Sequence, residues 1–203
     1  MNPFVPARLQ ADLVLASASP RRRELLAGLG FAFRVLPSDY HEDDAGRAPA
    51  EAARAHALGK AEAVALAAPG ALVIGADTLV IVDGLALGKP RDGAEAAAML
   101  RRLSGREHAV ITGLALARYE PACQRLISRV EASETAVRLR ALSGAEIAAY
   151  VASGEPPDKA GAYGIQGLAA QFVTGITGCY FNVMGLPLAL LTDMLRAWAA
   201  EGP

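Results

Sequence analysis

The residues with the clearest chemistry are three consecutive arginines, residues 21–23, in the first turn of a predicted helix. Ser19 is typical of an N-cap and Pro20 of the first helical position. Cations are unfavourable at this end, because the helix dipole is positive there and the first N–H groups lack partners within the helix. An anion bound by the arginines and the N–H groups would explain the pattern. The alternative is a solvated, Arg-rich helix start with Glu24 as local compensation.

A second candidate is Asp77, which follows the apolar run at residues 72–76. This run predicts a buried strand, and ligand sites gather at the carboxyl ends of strands in open α/β sheets. A carboxylate there can bind Mg²⁺ or orient a water molecule, whereas the alternative is a turn or cap residue. Lys89 follows a predicted hairpin, and Pro90 stiffens the backbone so that Lys89 could point back toward Asp77.

Three weaker candidates lie elsewhere in the chain. Glu42 belongs to an acidic loop, residues 39–44, that offers oxygen ligands for a hard cation or is simply solvated. Lys60 lies in an Ala-rich helix, where it contacts phosphate or extends along the surface as a solvated side chain. Gln166, in the glycine-rich segment 161–167, offers an amide donor and acceptor to a ligand, or the glycines only form tight turns.

The elements that position these residues alternate between strand and helix early in the chain, and consecutive strands come later. This order predicts an α/β fold with a mixed, curved sheet flanked by helices, arranged as two lobes around a cleft. Strands are predicted at residues 13–17, 31–36, 72–76, 78–82, 85–87, 108–118 and 126–140, with strands and turns over 162–185; helices are predicted at 20–29, 49–67, 92–103, 143–153 and after 187.

Composition excludes several classes of protein. The 203 residues carry 20 basic and 21 acidic side chains, a net charge of −1, so we expect no nucleic-acid partner. The run 160–192 lacks charge but is broken by glycines, so we expect no membrane span. Cys123 and Cys179 lack metal-ligand spacing and predict a reducing, cytoplasmic location. We expect a single domain over residues 1–203, with residues 1–11 as a flexible tail.

Several familiar catalytic patterns are absent from the sequence. There is no Walker A loop, dinucleotide-binding fingerprint, nucleophile elbow or Cys/His pairing for covalent catalysis. A basic helix start, further lysines, carboxylates and an amide remain. This set fits metal-assisted attack of water on a phosphorylated ligand.

The candidates fall into a series of short motifs: Ser17-Ala18-Ser19-Pro20-Arg21-Arg22, Glu42, Lys60, Gly75-Ala76-Asp77-Thr78, Lys89-Pro90-Arg91-Asp92, Asp158-Lys159-Ala160-Gly161-Ala162-Tyr163-Gly164-Ile165-Gln166-Gly167 and Gly185-Leu186-Pro187. In this order they resemble the Maf family of nucleoside triphosphate pyrophosphatases. The resemblance implies a fold like that of inosine triphosphate pyrophosphatases, with two lobes around a nucleotide cleft. It also implies cleavage of a nucleoside triphosphate, with a divalent cation, Mg²⁺ or Mn²⁺, into the monophosphate and pyrophosphate.

The resemblance also assigns roles to residues. We expect Asp77 to act as general base or water-orienting metal ligand, with Glu42 as a second metal ligand and Lys89 in the catalytic set. The triphosphate would be bound by the cationic and hydroxyl side chains Ser17, Arg21, Arg22, Lys60 and Lys89. Gly88 departs from the family, whose members often carry Glu before the Lys-Pro, and this affects the expected metal site most.

Specificity is expected from Arg21, Thr78 and Gln166, which are similar to the family branch that acts on dTTP and UTP. The Gln166 amide can offer a donor and an acceptor to the O4/N3 edge of uracil or thymine. We therefore expect a dTTP/UTP pyrophosphatase with a housekeeping role in the nucleotide pool, and modified pyrimidine nucleotides are left open. The alternatives are a 7-methyl-GTP pyrophosphatase of the same family and a nucleotide-binding regulator of cell division that needs no turnover. A homodimer is also left open.

Overall fold

A computed structural model describes residues 2–43 and 46–201 of the chain. Its strands are β1 (Leu13–Leu15), β2 (Arg34–Val35), β3 (Leu72–Val82), β4 (Leu85–Leu87), β5 (Glu107–Glu120), β6 (Arg125–Leu139) and β7 (Val173–Thr177). Its α-helices are α1 (Pro20–Gly28), α2 (Pro49–Ala67), α3 (Gly93–Leu103), α4 (Gly144–Ala152), α5 (Tyr180–Met184) and α6 (Leu188–Glu201).

Side-chain caps fix where three of the helices begin. The Ser19 side chain accepts a hydrogen bond from the backbone N–H of Arg22 at the start of α1. Asp92 caps α3 by accepting from the N–H of Glu95 at 2.8 Å. Ser143 and Glu146 form a reciprocal capping box at the start of α4. These polar residues explain why the predicted and observed helix starts agree closely.

The strands form one mixed sheet in the order β2-β1-β3-β5-β6-β7, with β4 paired to β3. β1 runs parallel to both β2 and β3, and Val14 lies opposite Arg34 on one side and Val73 on the other. β4 and β3 are antiparallel and are joined at Asp83-Gly84, where both residues have positive φ, as a tight hairpin requires. The mixed α/β fold class is therefore confirmed.

The predicted break between two strands at Asp77 is wrong. We expected a strand ending before Asp77 and a second strand beginning at Thr78, but β3 is continuous from Leu72 to Val82. Asp77 therefore lies inside a strand rather than at its carboxyl end. A charged residue in an apolar run normally marks the end of a strand, and the sequence does not reveal that this charge is compensated within the fold.

The chain divides into two compact units, which agrees with the expectation of two lobes. Unit 1 comprises Met1–Asp77, Thr112–Ser133 and Gly185–Pro203, and unit 2 comprises Thr78–Ile111 and Glu134–Met184. The long strands β3, β5 and β6 each contribute residues to both units.

Two apolar clusters form the core of unit 1. The larger cluster joins β1, β3 and β5 with α6, and it includes the buried Leu15, Ile74, Leu116 and Trp198. The second cluster packs the alanine-rich face of α2 against β1, β3 and β5. Small side chains on α2 allow its backbone to approach the sheet closely.

Glycines on the strands make this approach possible. A Cβ at Gly75 would lie 2.4 Å from the carbonyl oxygen of Ala57, and a Cβ at Gly113 would lie 2.0 Å from that of Ala53. Both distances are far below van der Waals contact. The two glycines therefore set the height of α2 over the sheet, and with it the positions of the polar residues that α2 carries.

The N-terminal segment is packed more closely than a frayed tail would be. Gln10 and Asn2 exchange hydrogen bonds of 2.8 Å, and the Gln10 amide also donates to the carbonyl of Val5 at 2.6 Å. Val5 and Leu9 are buried in the larger core cluster. Residues 2–10 therefore contribute to unit 1, whereas Met1 lies outside the described residues.

Unit 2 has its own apolar core, in which α3 and α4 pack beside the ends of the long strands. Its large buried members include Leu100, Leu103, Val137 and Ile147. Within the described residues, none of the helices combines the length and the apolar character needed to cross a bilayer.

Candidate active site

Asp77 forms the centre of a polar cluster in unit 1. Its side chain is almost fully buried, and Oδ1 accepts a hydrogen bond of 2.7 Å from Lys60 Nζ. Its other oxygen, Oδ2, lies 3.4 Å from Nδ1 of His56, which is completely buried. A buried carboxylate requires such partners, because an isolated charge in an apolar environment is strongly destabilising.

Helix α2 supplies both partners of Asp77. His56 and Lys60 are four residues apart and therefore lie on the same face of the helix. The Tyr40 ring covers this face: a Cβ at Gly59 would lie 2.2 Å from that ring, and the ring centroids of Tyr40 and His56 are 6.3 Å apart. The geometry of Asp77 thus depends on the close packing of α2 against β3.

Glu42 extends the cluster toward solvent. Its carboxylate lies 2.5 Å from Lys60 Nζ, so one ammonium contacts both Glu42 and Asp77. Glu42 is about half exposed, whereas the Lys60 and Asp77 side chains are largely buried. Of the acidic loop in which Glu42 was predicted, Asp44 lies outside the described residues.

The cluster has a donor set that suits a divalent cation. Ligand atoms of Glu42, His56 and Asp77 all lie within 4.8 Å of one another. Carboxylate oxygens are the protein ligands that Mg²⁺ and Mn²⁺ prefer, so Glu42 and Asp77 fit the predicted metal site. His56 faces Asp77 Oδ2, which is the arrangement expected of a group that orients a carboxylate ligand.

Neighbouring cations keep Asp77 ionised. Burial raises the pKa of Asp77, but the opposing charges and hydrogen bond of Lys60, together with Arg22 and His56, outweigh that effect. The net pKa lies below the usual aspartate value. Asp77 is therefore a carboxylate at neutral pH, able to accept a proton or bind a cation.

Ser17 and Arg22 lie close to this cluster, at the start of α1. Arg22 donates from Nη1 to Ser17 Oγ at 3.2 Å and from Nε to the carbonyl of Gly185 at 2.8 Å. Burial and the charge of Arg21 hold the pKa of Arg22 below the usual arginine value, although the charges of Asp77 and Glu42 oppose this shift. The guanidinium is thus held in place by residues of unit 1. These contacts compensate in part for the unfavourable placement of a cation in the first turn of a helix.

Ser17 is arranged to donate its hydroxyl hydrogen. Its Oγ accepts one hydrogen bond from the N–H of Ser19 at 3.2 Å and another from Arg22. These two bonds occupy both acceptor positions of the hydroxyl oxygen. Arg21 is half-buried, whereas Arg23 is exposed. Five of the predicted site residues are therefore brought together in unit 1: Ser17, Arg22, Glu42, Lys60 and Asp77.

The remaining predicted site residues belong to unit 2. Thr78 is half-buried in β3 and directly follows Asp77 in sequence. Lys89 is exposed beyond β4, and Gln166 is exposed in the glycine-rich loop. Their roles, including the predicted orientation of Lys89 toward Asp77, stay predictions.

Sequence reasoning missed His56 and Tyr40. A histidine within an alanine-rich helix is often a solvent-exposed side chain with no specific role. Neither His56 nor Tyr40 belongs to the motifs quoted above. The available signal was the spacing of four residues between His56 and Lys60, which places both on one helix face.

Comparisons with known proteins show which family the chain resembles. The sequence profile of the family described as "Maf-like protein" matches residues 12–198. Several relatives are named "dTTP/UTP pyrophosphatase". The one from Moorella thermoacetica is 52% identical over 94% of this chain and 97% of its own length. The one from Symbiobacterium thermophilum is 51% identical over 91% of this chain and 92% of its own length. The relative from Pelotomaculum thermopropionicum is 50% identical over 91% of this chain and 95% of its own length.

Among solved structures, the Ham1 protein of Staphylococcus aureus is similar, with 15% sequence identity and a TM-score of 0.46, covering 92% of this chain and 98% of that chain. The family profile spans most of the sequence, and the relatives are about half identical to it over almost their whole length. The chain therefore belongs to the Maf-like family.

Proposed function

We propose that this protein hydrolyses dTTP and UTP to the corresponding monophosphate and pyrophosphate, with a divalent cation as cofactor. The observation that carries the proposal is the ionised Asp77, held by Lys60 and His56 next to the cationic start of α1. The names of the relatives support the same reaction. The two free thiols, Cys123 and Cys179, support a cytoplasmic location.

Asp77 has the central role in this mechanism. Its carboxylate orients the attacking water and can accept the proton that the water loses on attack at the α-phosphorus. Asp77 and Glu42 together would hold Mg²⁺ or Mn²⁺. When bound, such a cation neutralises phosphate oxygens and polarises the bond to the leaving pyrophosphate.

The cationic residues hold the triphosphate in line for attack. Arg22 is fixed by Ser17 and Gly185, so its guanidinium is preorganised for phosphate oxygens. Ser17 donates its hydroxyl hydrogen, and Lys60 exchanges part of its contact with the carboxylates for a phosphate oxygen. Arg21 and Lys89 add positive charge, since a nucleoside triphosphate carries about four negative charges.

Arg21, Thr78 and Gln166 select the base. Gln166 presents an exposed amide, with one donor group and one acceptor, which matches the O4/N3 edge of uracil and thymine. The partner is thus a small nucleoside triphosphate.

A nucleotide panel tests the reaction. Purified protein with Mg²⁺ or Mn²⁺ is expected to release pyrophosphate from dTTP and UTP faster than from CTP, purine nucleotides or 7-methyl-GTP, and a chelator is expected to abolish the release. Dominant release of orthophosphate, or a preference for 7-methyl-GTP, would contradict the proposal.

Asp77→Asn tests the assignment of the carboxylate. The amide is almost the same size but cannot accept the proton, so kcat is expected to fall roughly 100-fold or more. Asp83→Asn is the matched control, because Asp83 is an exposed hairpin residue paired with Arg102 and Arg106. The control is expected to keep wild-type kcat, and an active Asp77→Asn enzyme would exclude Asp77 as the base.

A further inference from the structure

The loop that carries Gln166 is connected by hydrogen bonds to one carboxylate, that of Glu155. Glu155 Oε1 accepts a hydrogen bond of 2.8 Å from the Tyr150 hydroxyl, and Oε2 accepts one of 2.8 Å from the backbone N–H of Leu168. The Tyr150 hydroxyl in turn accepts from the N–H of Gly164 at 3.2 Å. The carboxylate therefore connects both ends of the short segment 164–168.

The same segment forms a tight turn that packs directly against the Glu155 carboxylate. The N–H of Gly167 donates to the carbonyl of Gly164 at 3.0 Å, which forms a tight turn with Gln166 at its exposed side. A Cβ at Gly167 would lie 2.3 Å from Glu155 Oε1. The turn thus sits directly on the carboxylate, and the absence of a side chain at Gly167 allows it.

Lys159 supports the other side of the turn. Its Nζ donates to the Glu155 carbonyl at 2.7 Å and pairs with Asp158 at 2.6 Å, and a Cβ at Gly164 would lie 2.6 Å from Lys159 Cε. One of only three lysines in the chain therefore serves as a scaffold beneath the turn.

Tyr150 keeps the hydrogen bonds of Glu155 in one arrangement, because its hydroxyl remains protonated. Burial raises the pKa of Tyr150 above the usual value, and the hydrogen bond to Glu155 raises it further. Tyr150 therefore stays protonated and donates to the carboxylate. Glu155 itself is half-buried, so it is shielded from solvent while it holds the turn.

We propose that Glu155 is a positioning residue for base recognition: its carboxylate fixes the turn that presents the Gln166 amide to the pyrimidine. This inference rests on the proposed dTTP/UTP activity. Glu155 touches neither the substrate nor the reacting atoms in this role. Its contribution appears in KM, because the base is bound before and during the reaction, whereas chemistry at the α-phosphorus depends on Asp77.

Glu155→Ala and Glu155→Gln test the proposal. The alanine variant leaves Tyr150 and the Leu168 N–H without their acceptor, so KM for dTTP and UTP is expected to rise about tenfold with kcat within about threefold. In the glutamine variant, the amide oxygen can still accept from the Leu168 N–H and the amide nitrogen can donate to the Tyr150 oxygen. It is expected to recover most of the wild-type KM. Glu107→Ala, which removes an exposed carboxylate paired with Arg138, is the matched control.

Gly167→Ala provides a second, independent test. Alone, its Cβ displaces the Glu155 carboxylate and is expected to raise KM as Glu155→Ala does. Combined with Glu155→Ala, which removes the clashing oxygens, it is expected to add little further effect. Full additivity of the two substitutions would overturn the direct contact on which the inference depends.

The outcomes separate this inference from the proposed function. A wild-type enzyme that releases no pyrophosphate from dTTP or UTP overturns the proposed function and the inference together. An active wild type with an unchanged KM in folded Glu155→Ala overturns the inference alone. If Glu155→Ala does not fold, Tyr150→Phe, which deletes only the hydroxyl between Glu155 and Gly164, is expected to raise KM about threefold, and an unchanged KM in that variant overturns the inference.

Discussion

At the residue scale, Lys60 shows why a lysine is required where the chain otherwise uses arginine. Its ammonium contacts Glu42 at 2.5 Å and Asp77 at 2.7 Å from a helix that is packed closely against the sheet. A guanidinium is planar and is carried on a longer side chain, so its nitrogen atoms do not take the position of the Lys60 Nζ between the two carboxylates.

Lys60→Arg is therefore expected to behave as a disruptive substitution although it preserves the charge. We expect kcat/KM for dTTP and UTP to fall on the order of 100-fold, as in Lys60→Met, because the position of Asp77 is disturbed in both variants. Steady-state kinetics measures this directly. Near-wild-type activity in Lys60→Arg would mean that the charge alone matters.

Arg22 and Asp77 were predicted from their local context, whereas the roles of Ser17 and Lys60 were predicted from the family resemblance. His56 and Glu155 were not predicted. Their roles depend on what packs opposite them, β3 in one case and a glycine turn in the other, and one sequence does not contain that information. Local patterns thus reveal candidate groups, while packing decides which neighbours orient them.

At the element scale, Gly113 holds α2 at its close distance from the sheet. In Gly113→Ala the new Cβ would lie 2.0 Å from the carbonyl of Ala53, so α2 must shift. We expect the free energy of unfolding to fall by roughly 2 kcal/mol, as for an overpacked core, and kcat to fall with it because α2 carries Lys60. Chemical denaturation and kinetics on the same samples measure both effects.

Gly28→Ala is the matched control for this substitution. Gly28 ends α1, and nothing lies within 4 Å of a Cβ placed there. Alanine is expected to raise the free energy of unfolding slightly, because it is the better helix former. Equal destabilisation by the two substitutions would mean that crowding under α2 is not the cause.

The limits of α1, α3 and α4 were predictable to within about one residue, since Ser19, Asp92 and Ser143 are caps whose hydrogen bonds are local, whereas α5 lies in a segment predicted as strands and turns. The continuity of β3 was not predictable. It depends on Lys60 and His56, some twenty residues earlier in the sequence, which compensate the buried charge of Asp77.

At the scale of the whole molecule, His108 links stability to pH. Burial lowers the pKa of this nearly inaccessible histidine to about 4, and its Nε2 lies 2.8 Å from the Tyr163 hydroxyl. The unfolded chain binds a proton on histidine below about pH 6.5. This contribution to stability is therefore complete above that pH and is lost as the pH falls toward 4.

His108→Gln removes this titration while its amide can still bond to Tyr163. Between pH 7 and pH 5 the wild type is expected to lose about 2 kcal/mol more in free energy of unfolding than the variant. Urea titrations of both proteins across this range measure the difference. Parallel pH profiles would exclude His108 as the responsible group.

The fold class and the division into two lobes were predictable from the alternation of strands and helices. The composition of the lobes was not, because unit 1 is assembled from three separate segments of chain and unit 2 from two. The order of elements in the sequence predicts which elements are neighbours. The division into units depends instead on three strands that are long enough to contribute residues to both units.

Helix α6 supplies Leu191, Leu195 and Trp198 to a core that also contains Leu15 of β1. A ribosome synthesises Leu15 more than 170 residues before α6, so β1 lacks this cover until α6 has followed it. All of unit 2 has been synthesised by Met184, while unit 1 still lacks its last segment. Unit 1, which contains β1, is thus completed after unit 2, and its apolar strands lack the cover of α6 until residues 188–201 have been synthesised.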